Sequence, residues 1–496
     1  MKRELLSEIR FGRRVAEEEG EQLVRYFVET DHWRRLYSDD VDVVYGPKGS
    51  GKSALYSLLV ARRDALFDRG IILAPAENPR GAPAFRDLVT DPPASESEFI
   101  GLWKVYFASL LNGVFSEYGI SGKHAERLSV ALEREGLAPQ SLSLSAMLRA
   151  ALDYVRGALR PAGIEGGIDI DPFTSLPRGF NGKITFREPS AEGIARGLVS
   201  IDSLLSAAAE ALSESGFVVW ILLDRLDVAF VDSPELEQNA LRALFHVYLD
   251  LLGLQALRLK VFLRTDIWRR ITLSGFREAS HITRHMTIEW SHPALLNLVV
   301  SRTIQNQQIV GYYGTTQEDV LRSRASQEAL FDRVFPDQVD VGPNKPRTFD
   351  WMLTRTRDGT LQNAPRELIH LLERLREVQV RRLETGDPEP PEGQLFVRPA
   401  FKEALPEVSR ARLEQTLYAE YPSLRERLEA LRGAKTLHTA QTLADLWEVE
   451  AIDAETVASQ LVEVGFFEQR GSRDAPEYWV PFLYRDALDL VQGAAE

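Results

Sequence analysis

The octapeptide Gly46-Pro-Lys-Gly-Ser-Gly-Lys-Ser53 constrains this chain more than any other stretch. It stands directly behind the apolar run Val41-Asp-Val-Val-Tyr45 and ahead of Ala54-Leu-Tyr-Ser-Leu-Leu-Val60. Strand, glycine-rich turn and helix in that order make the context a phosphate-binding P-loop requires. Glycines let backbone N–H groups close around an anion where a side chain would block the approach. The following helix N-terminus adds its dipole and its unpaired donors. Gly46, Pro47, Lys48, Gly49, Ser50, Gly51, Lys52, Ser53 and Ala54 are therefore the expected nucleotide-binding segment. Lys52 is expected to reach the β- and γ-phosphates of ATP, and Ser53 to ligate Mg²⁺. The bland reading is a glycine-rich turn ahead of a core helix.

A phosphate loop of this kind needs an acidic group at the end of a second buried strand. The run Phe217-Val-Val-Trp-Ile-Leu-Leu223 ends in Asp224-Arg-Leu-Asp227. Asp224 is expected to hold Mg²⁺ through water, its plainer alternative being a helix cap. Arg225 stands where an acid would polarise the attacking water, and its pKa is too high for a base. Asp227 is the expected substitute. A further strand, Leu259–Leu263, ends in Arg264-Thr-Asp266, where Arg264 either senses the γ-phosphate or pairs with Asp266 or Asp227. Arg366, in Asn363-Ala-Pro-Arg-Glu-Leu-Ile369, opens a helix and is expected to act as a second sensor, with a surface pair to Glu as the alternative. Arg277 and Arg284 precede the last strand, His285–Trp290, and are candidates for a neighbouring subunit's nucleotide.

Strands alternating with helices predict an α/β fold with a parallel sheet covered on both faces. Residues 14–28 carry an amphipathic helical pattern, and Asp31–Tyr37 a second short helix. Residues 78–200 form a detour, with helices at Glu98–Glu117, His124–Glu135 and Ser145–Leu159. Within it, Ile168-Asp-Ile and Lys183-Ile-Thr-Phe186 are candidate hairpin strands. From His292 the pattern is helical, including 365–383. Thr385–Gly393 reads as a linker. Helices at about 438–447 and 453–464, followed by a short hairpin, give the outline of a winged helix.

At 496 residues several domains are expected. With no cysteine, disulfides, thiolate metal sites and a cysteine nucleophile are excluded, and a reducing cytoplasm is the expected location. The run 217–223 is far too short to span a membrane, and no membrane partner is expected. No His spacing suits a metal other than Mg²⁺.

Taken together, GPKGSGKS, VVWILLDRLD, KVFLRTD, a helical segment with NAPRELI and a terminal winged helix resemble the AAA+/STAND branch of P-loop ATPases, including KAP-like and origin-recognition-like members. The head Phe11-Gly-Arg-Arg-Val-Ala-Glu-Glu-Glu19, with Tyr26–Thr30, is similar to a bacterial family of such ATPases, sometimes found among anti-phage genes. The resemblance covers the core, lid and C-terminal unit and implies a P-loop NTPase fold. With the readings above, the expected layout is an N-terminal helical segment (1–40), an ATPase core (41–290) interrupted by a helical and hairpin insertion (78–200) that the resemblance does not cover, a helical lid (291–385), a linker with helices (386–434) and a winged helix (435–496). It implies Lys52 and Ser53 on phosphate and Mg²⁺, Asp224 on the metal, and Arg264 and Arg366 as sensors. The expected activity is hydrolysis of ATP to ADP and phosphate, slow or partner-dependent because of Arg225. The expected role is a nucleotide-driven switch read by a protein partner or a second copy of the chain. A DNA-binding loader is the less favoured role. Residues 435–490 hold four Lys/Arg against eleven Asp/Glu, a poor balance for meeting phosphates. Residues 345–382, with nine against five, suit DNA better, although a solvated helix face explains them as well. A small-molecule kinase has no evident use for the helical appendages.

Overall fold

The computed structural model describes residues 1–12, 23, 27, 29–76, 93, 95–138, 143–159, 184–226, 234–273, 275–472 and 475–495 of the protein. Two compact units form, each around its own apolar core. The first comprises Met1–Asp31, Gly46–Gly51 and Ile288–Glu496; the second comprises His32–Tyr45 and Lys52–Thr287.

The second unit is α/β. Its strands are β1 (Val43–Gly46), β2 (Ile71–Pro75), β3 (Ile184–Thr185), β4 (Val199–Ser200), β5 (Val218–Leu223), β6 (Leu257–Arg264) and β7 (His285–Thr287). Five of them make one sheet in the order β2-β5-β6-β1-β7. The β2/β5, β5/β6 and β1/β7 pairs are parallel. At the β6/β1 join, Val261 N–H donates to Asp42 O (2.9 Å), and Arg258 pairs with Asp39 three residues earlier on each, so these strands also advance together. In a parallel sheet the strand C-termini share one edge, the edge where ligands of such folds bind. The ends of β1, β5 and β6 thus lie along that edge, with β6 between the other two. At the opposite edge the fully buried Lys260 ammonium binds Asp42 Oδ1 (2.9 Å), Asp39 Oδ1 (2.5 Å) and Val41 O (2.6 Å). Arg284 adds a 2.7 Å bond to Asp42 Oδ2. This network ties β1 to its neighbouring strands. It also commits Arg284, which the sequence offered as a group reaching toward a neighbouring subunit.

The detour after β2 is part of the core. Helix Glu96–Tyr118 is capped by Ser95, whose hydroxyl accepts from Glu98 N–H, and ends at Gly119 in the left-handed region (φ 68°). Trp103 Nε1 donates to Ala240 O (2.9 Å), fixing this helix to helix Pro234–Leu251. Helix Glu96–Tyr118 is long and apolar enough to cross a membrane, yet 78% of its apolar window is buried inside the protein. Helices Lys123–Arg134, Leu144–Leu159 and Ile201–Glu214 complete this side. The expected hairpin is corrected in part. Ile168-Asp-Ile lies outside the described residues, while β3 pairs in parallel with β4. The 13-residue stretch between them, carrying helix Ala191–Ala195, is long enough for the crossover that parallel pairing needs.

The first unit is mainly helical up to Ala430. Helix Pro365–Glu384 is its central rod, and Phe11 N–H donates to Glu373 on it (2.6 Å). Lys2 Nζ holds the carbonyls of Pro390 and Pro391 (2.7 Å each), which pins the stretch read as a linker. Helix Arg398–Arg412 runs into a π-helical turn, Leu413–Tyr418. Helices Ala440–Trp447 and Ala451–Glu463 then accompany β8 (Lys435–Thr439), β9 (Glu468–Ser472), β10 (Ala475–Trp479) and β11 (Val491–Ala494), in the sheet order β11-β8-β10-β9. The hairpin expected from the sequence is β9/β10; β8 and β11 were not expected. The amphipathic pattern at 14–28 lies outside the described residues apart from Leu23 and Phe27.

Candidate functional site

Every residue of β1 is buried, and helix Lys52–Ala61 starts six residues after its last. Ser50 N–H donates to Pro47 O (3.2 Å), making the turn tight, and Gly49 and Gly51 have φ of 82° and 101°. A non-glycine residue is strained in that left-handed region. Trp290 Nε1 donates to Ser50 O (2.8 Å) and anchors the turn from outside. Ser50 is 1% exposed, and its hydroxyl has no hydrogen-bond partner among the described residues. Lys48 is ion-paired with Glu420. A Cβ on Gly49 would stand 3.0 Å from Arg366 Cβ and 3.4 Å from Glu367 Oε2, so glycine here admits close packing as well as an unusual φ.

Lys52 and Ser53 open the helix, where donors are free of intrahelical partners, and both are half-buried. Asp224 directly follows β5 and is 5% exposed. Arg225 after it has φ 58°, an uncommon conformation for a side chain of its size. The residue that departs from an acidic pattern is therefore also conformationally special. Asp227 lies outside the described residues.

At the end of β6, Arg264 grips Asp266 through two bonds, Nε to Oδ1 (3.0 Å) and Nη2 to Oδ2 (2.8 Å). Burial alone would raise the Asp266 pKa, but the Arg264 guanidinium holds it below the usual carboxylate range. Of the two alternatives the sequence left for Arg264, the pair with Asp266 is thus present. Thr265 beside it has a buried hydroxyl with no hydrogen-bond partner among the described residues.

Arg366 occupies the first turn of helix Pro365–Glu384, which begins with proline at N1. Among the described residues its Nε is buried without a hydrogen-bond partner, as are Asn363 Oδ1 and Glu367 Oε2. Ser50 lies in the glycine turn, and Arg366 and Glu367 pack against Gly49, so three of these unsatisfied polar atoms belong to residues at or against one turn. Buried polar groups are normally bonded, and such a concentration calls for an explanation, a bound polar ligand among them. Glu420, Trp290 and Glu367 escaped sequence reasoning. Each contributes through a contact with a residue more than 200 positions away, and no local motif marks that. The backbone N–H groups of the turn, the Ser50 hydroxyl and the Arg366 guanidinium are donors of the kind a phosphate chain takes, whereas Glu367 Oε2 is an acceptor that would repel one; Ser53 and Asp224 are oxygen ligands of the kind Mg²⁺ takes.

No family model and no curated protein matches the chain. Among solved structures, it is similar to the Aeropyrum pernix ORC2 protein in ADPNP–ADP complexes, at 14% identity over 95% of this chain and 93% of that one. The TM-score is 0.28, too low for the likeness to carry any argument about fold or function.

Proposed function

We propose that the protein binds ATP with Mg²⁺ at Gly46–Ser53 and acts as a nucleotide-dependent switch with slow hydrolysis. The observation that carries this reading is the turn itself: a buried strand, two left-handed glycines, a helix opening on Lys52-Ser53, and an orphaned Ser50 hydroxyl. In this reading Lys52 neutralises the phosphates, Ser53 and Asp224 take the metal ion, and Arg366 reports the γ-phosphate. Arg264, clamped to Asp266, serves better as a fixed positive group than as a mobile sensor. With Arg225 after Asp224, the expected turnover is slow, and Asp227 is the remaining candidate to orient water. The division into core, helical lid and terminal winged helix belongs to the same proposal. The two helices with the β9/β10 hairpin support the last of these.

Binding of a fluorescent ATP analogue, with and without Mg²⁺, tests the reading. The chain is expected to bind, and Lys52→Ala to weaken binding by about tenfold or more, since a charge-assisted phosphate contact is lost. Equal affinity in the two proteins overturns it.

A further inference from the structure

Helix Arg398–Arg412, its π-helical turn and the residues after it approach the glycine turn twice. Glu420, beyond the turn, pairs with Lys48. Arg412, before it, reaches Glu367, whose other carboxylate oxygen faces Gly49. π-helical turns are uncommon and frequently stand at functional sites. Arg412 is 6% exposed and gathers three partners: Glu367 Oε1 (2.9 Å), Asp358 Oδ2 (3.0 Å) and Tyr484 OH (3.3 Å). Burial opposes its charge, but Tyr484, Glu367 and Asp358 together raise its pKa well above the ordinary value. The guanidinium therefore stays charged while the protein is folded.

The far side of this hub is equally specific. Asp358 Oδ1 accepts from both Thr360 N–H (3.0 Å) and Thr360 Oγ1 (2.6 Å). Gly359 N–H donates to Gly465 O (2.7 Å), and a Cβ on Gly359 would fall 2.1 Å from Phe467 O. The 358–360 segment is thus seated on Gly465–Phe467, which leads straight into β9. Its other end returns through the Arg357–Asn363 bridge to Pro365, the start of the helix bearing Arg366 and Glu367. One guanidinium consequently joins the residues beside the glycine turn to those beneath the β9/β10 hairpin.

We propose that Arg412 is a positioning residue. Through Glu367 it holds Arg366 and the first turn of its helix against Gly49, and through Asp358 it carries the state of that contact to Gly465–Phe467 and the β9/β10 hairpin. This rests on nucleotide binding as read above. A phosphate chain on the glycine turn brings negative charge toward Glu367 Oε2, which has no hydrogen bond of its own to hold it there. Glu367 can respond only with Arg412, because separating a buried pair strands a charge. Packed networks of this sort shift between discrete arrangements rather than stretching, which suits them to carry a signal.

Hydrogen–deuterium exchange on the full chain, with and without Mg²⁺ and a non-hydrolysable ATP analogue, tests this. In the wild type the analogue is expected to change exchange at 46–51, 357–363 and 465–472. Glu367→Gln keeps the shape but not the charge. It is expected to bind the analogue and keep the change at 46–51, while the change at 465–472 falls by about fivefold or more. Arg412→Met is expected to do the same, and Arg412→Lys to recover part of the signal, since a point charge can serve one carboxylate. Should Arg412→Met fail to fold, Tyr484→Phe removes one hydroxyl from the hub and is expected to weaken the signal partially. A Glu367→Gln protein that binds the analogue and transmits fully to 465–472 overturns the proposal. So does a wild type that binds without any change there. A wild type that does not bind at all refutes the nucleotide reading first, a separate result.

Discussion

Lys260 has no exposed surface, and Asp42 beside it keeps 1%. Buried charges are tolerated when paired and bonded, and removing one partner is costly because the other stays behind. Asp42→Asn is therefore expected to destabilise the second unit toward the lower end of about 3–5 kcal/mol, Asp39 still serving the ammonium. Burial alone would raise the Asp42 pKa, but Lys260 and Arg284 hold it below the usual carboxylate range. A carboxyl depressed by folding contributes stability that is present above about pH 3.9 and lost as pH falls through its folded value. Urea midpoints at pH 7 and pH 3 should thus converge between wild type and Asp42→Asn at the acid end; a constant gap would contradict the assignment. This pair was not legible in the sequence. Lys260 reads only as a break in the apolar run Leu259–Leu263, and Asp42 lies 218 residues away. Asp224 was legible as a strand-end acid because the seven-residue apolar run Phe217–Leu223, which forms β5 from Val218 on, stops at it. Arg264 was legible as a polar strand end, but its choice of Asp266 over Asp227 is made by the fold.

Elements whose buried face is apolar could be read directly. Helix Asp31–Tyr37 falls where its pattern put it, and β5 and β6 agree with the apolar runs to within about two residues. The single helix expected after the glycine turn breaks at Arg62 into Lys52–Ala61 and Arg63–Phe67. β8 escaped because its inward residues are Thr436 and His438, which give no hydrophobic alternation. Its place is set by β10 and β11 on either side. His438 supplies a test at this scale. Burial lowers its pKa, the Lys435 carbonyl opposing in part through a 2.8 Å bond to Nε2. The folded state therefore favours neutral imidazole. Its contribution is present above the unfolded value near pH 6.5 and is lost as pH falls toward the depressed folded value. Between pH 7.5 and 5.5 the urea midpoint of the wild type should drop more than that of His438→Asn, and parallel drops would show that His438 does not titrate this way.

The whole chain passes between its two units four times: after Asp31, Tyr45, Gly51 and Thr287. Sequence order hid this, because the expected boundaries followed motifs, whereas the units follow packing. The six residues Gly46–Gly51 cluster with the mostly helical unit, although the strand before them and the helix after them belong to the α/β unit. Each unit has its own contiguous apolar core. Cooperative all-or-none unfolding is a property of small single cores and commonly fails for multi-domain chains. Scanning calorimetry should then resolve two transitions for this protein. Asp42→Asn, in the α/β core, is expected to lower one of them. Glu367→Gln, beside the buried Arg412, is expected to lower the other, since it weakens a paired buried charge. At roughly 250 residues per unit, a loss of 1 kcal/mol moves a midpoint by about 2–4 °C, well within what the method separates. A single transition that both substitutions displace as a whole would mean that the two cores melt as one, and the division into units would have no energetic counterpart.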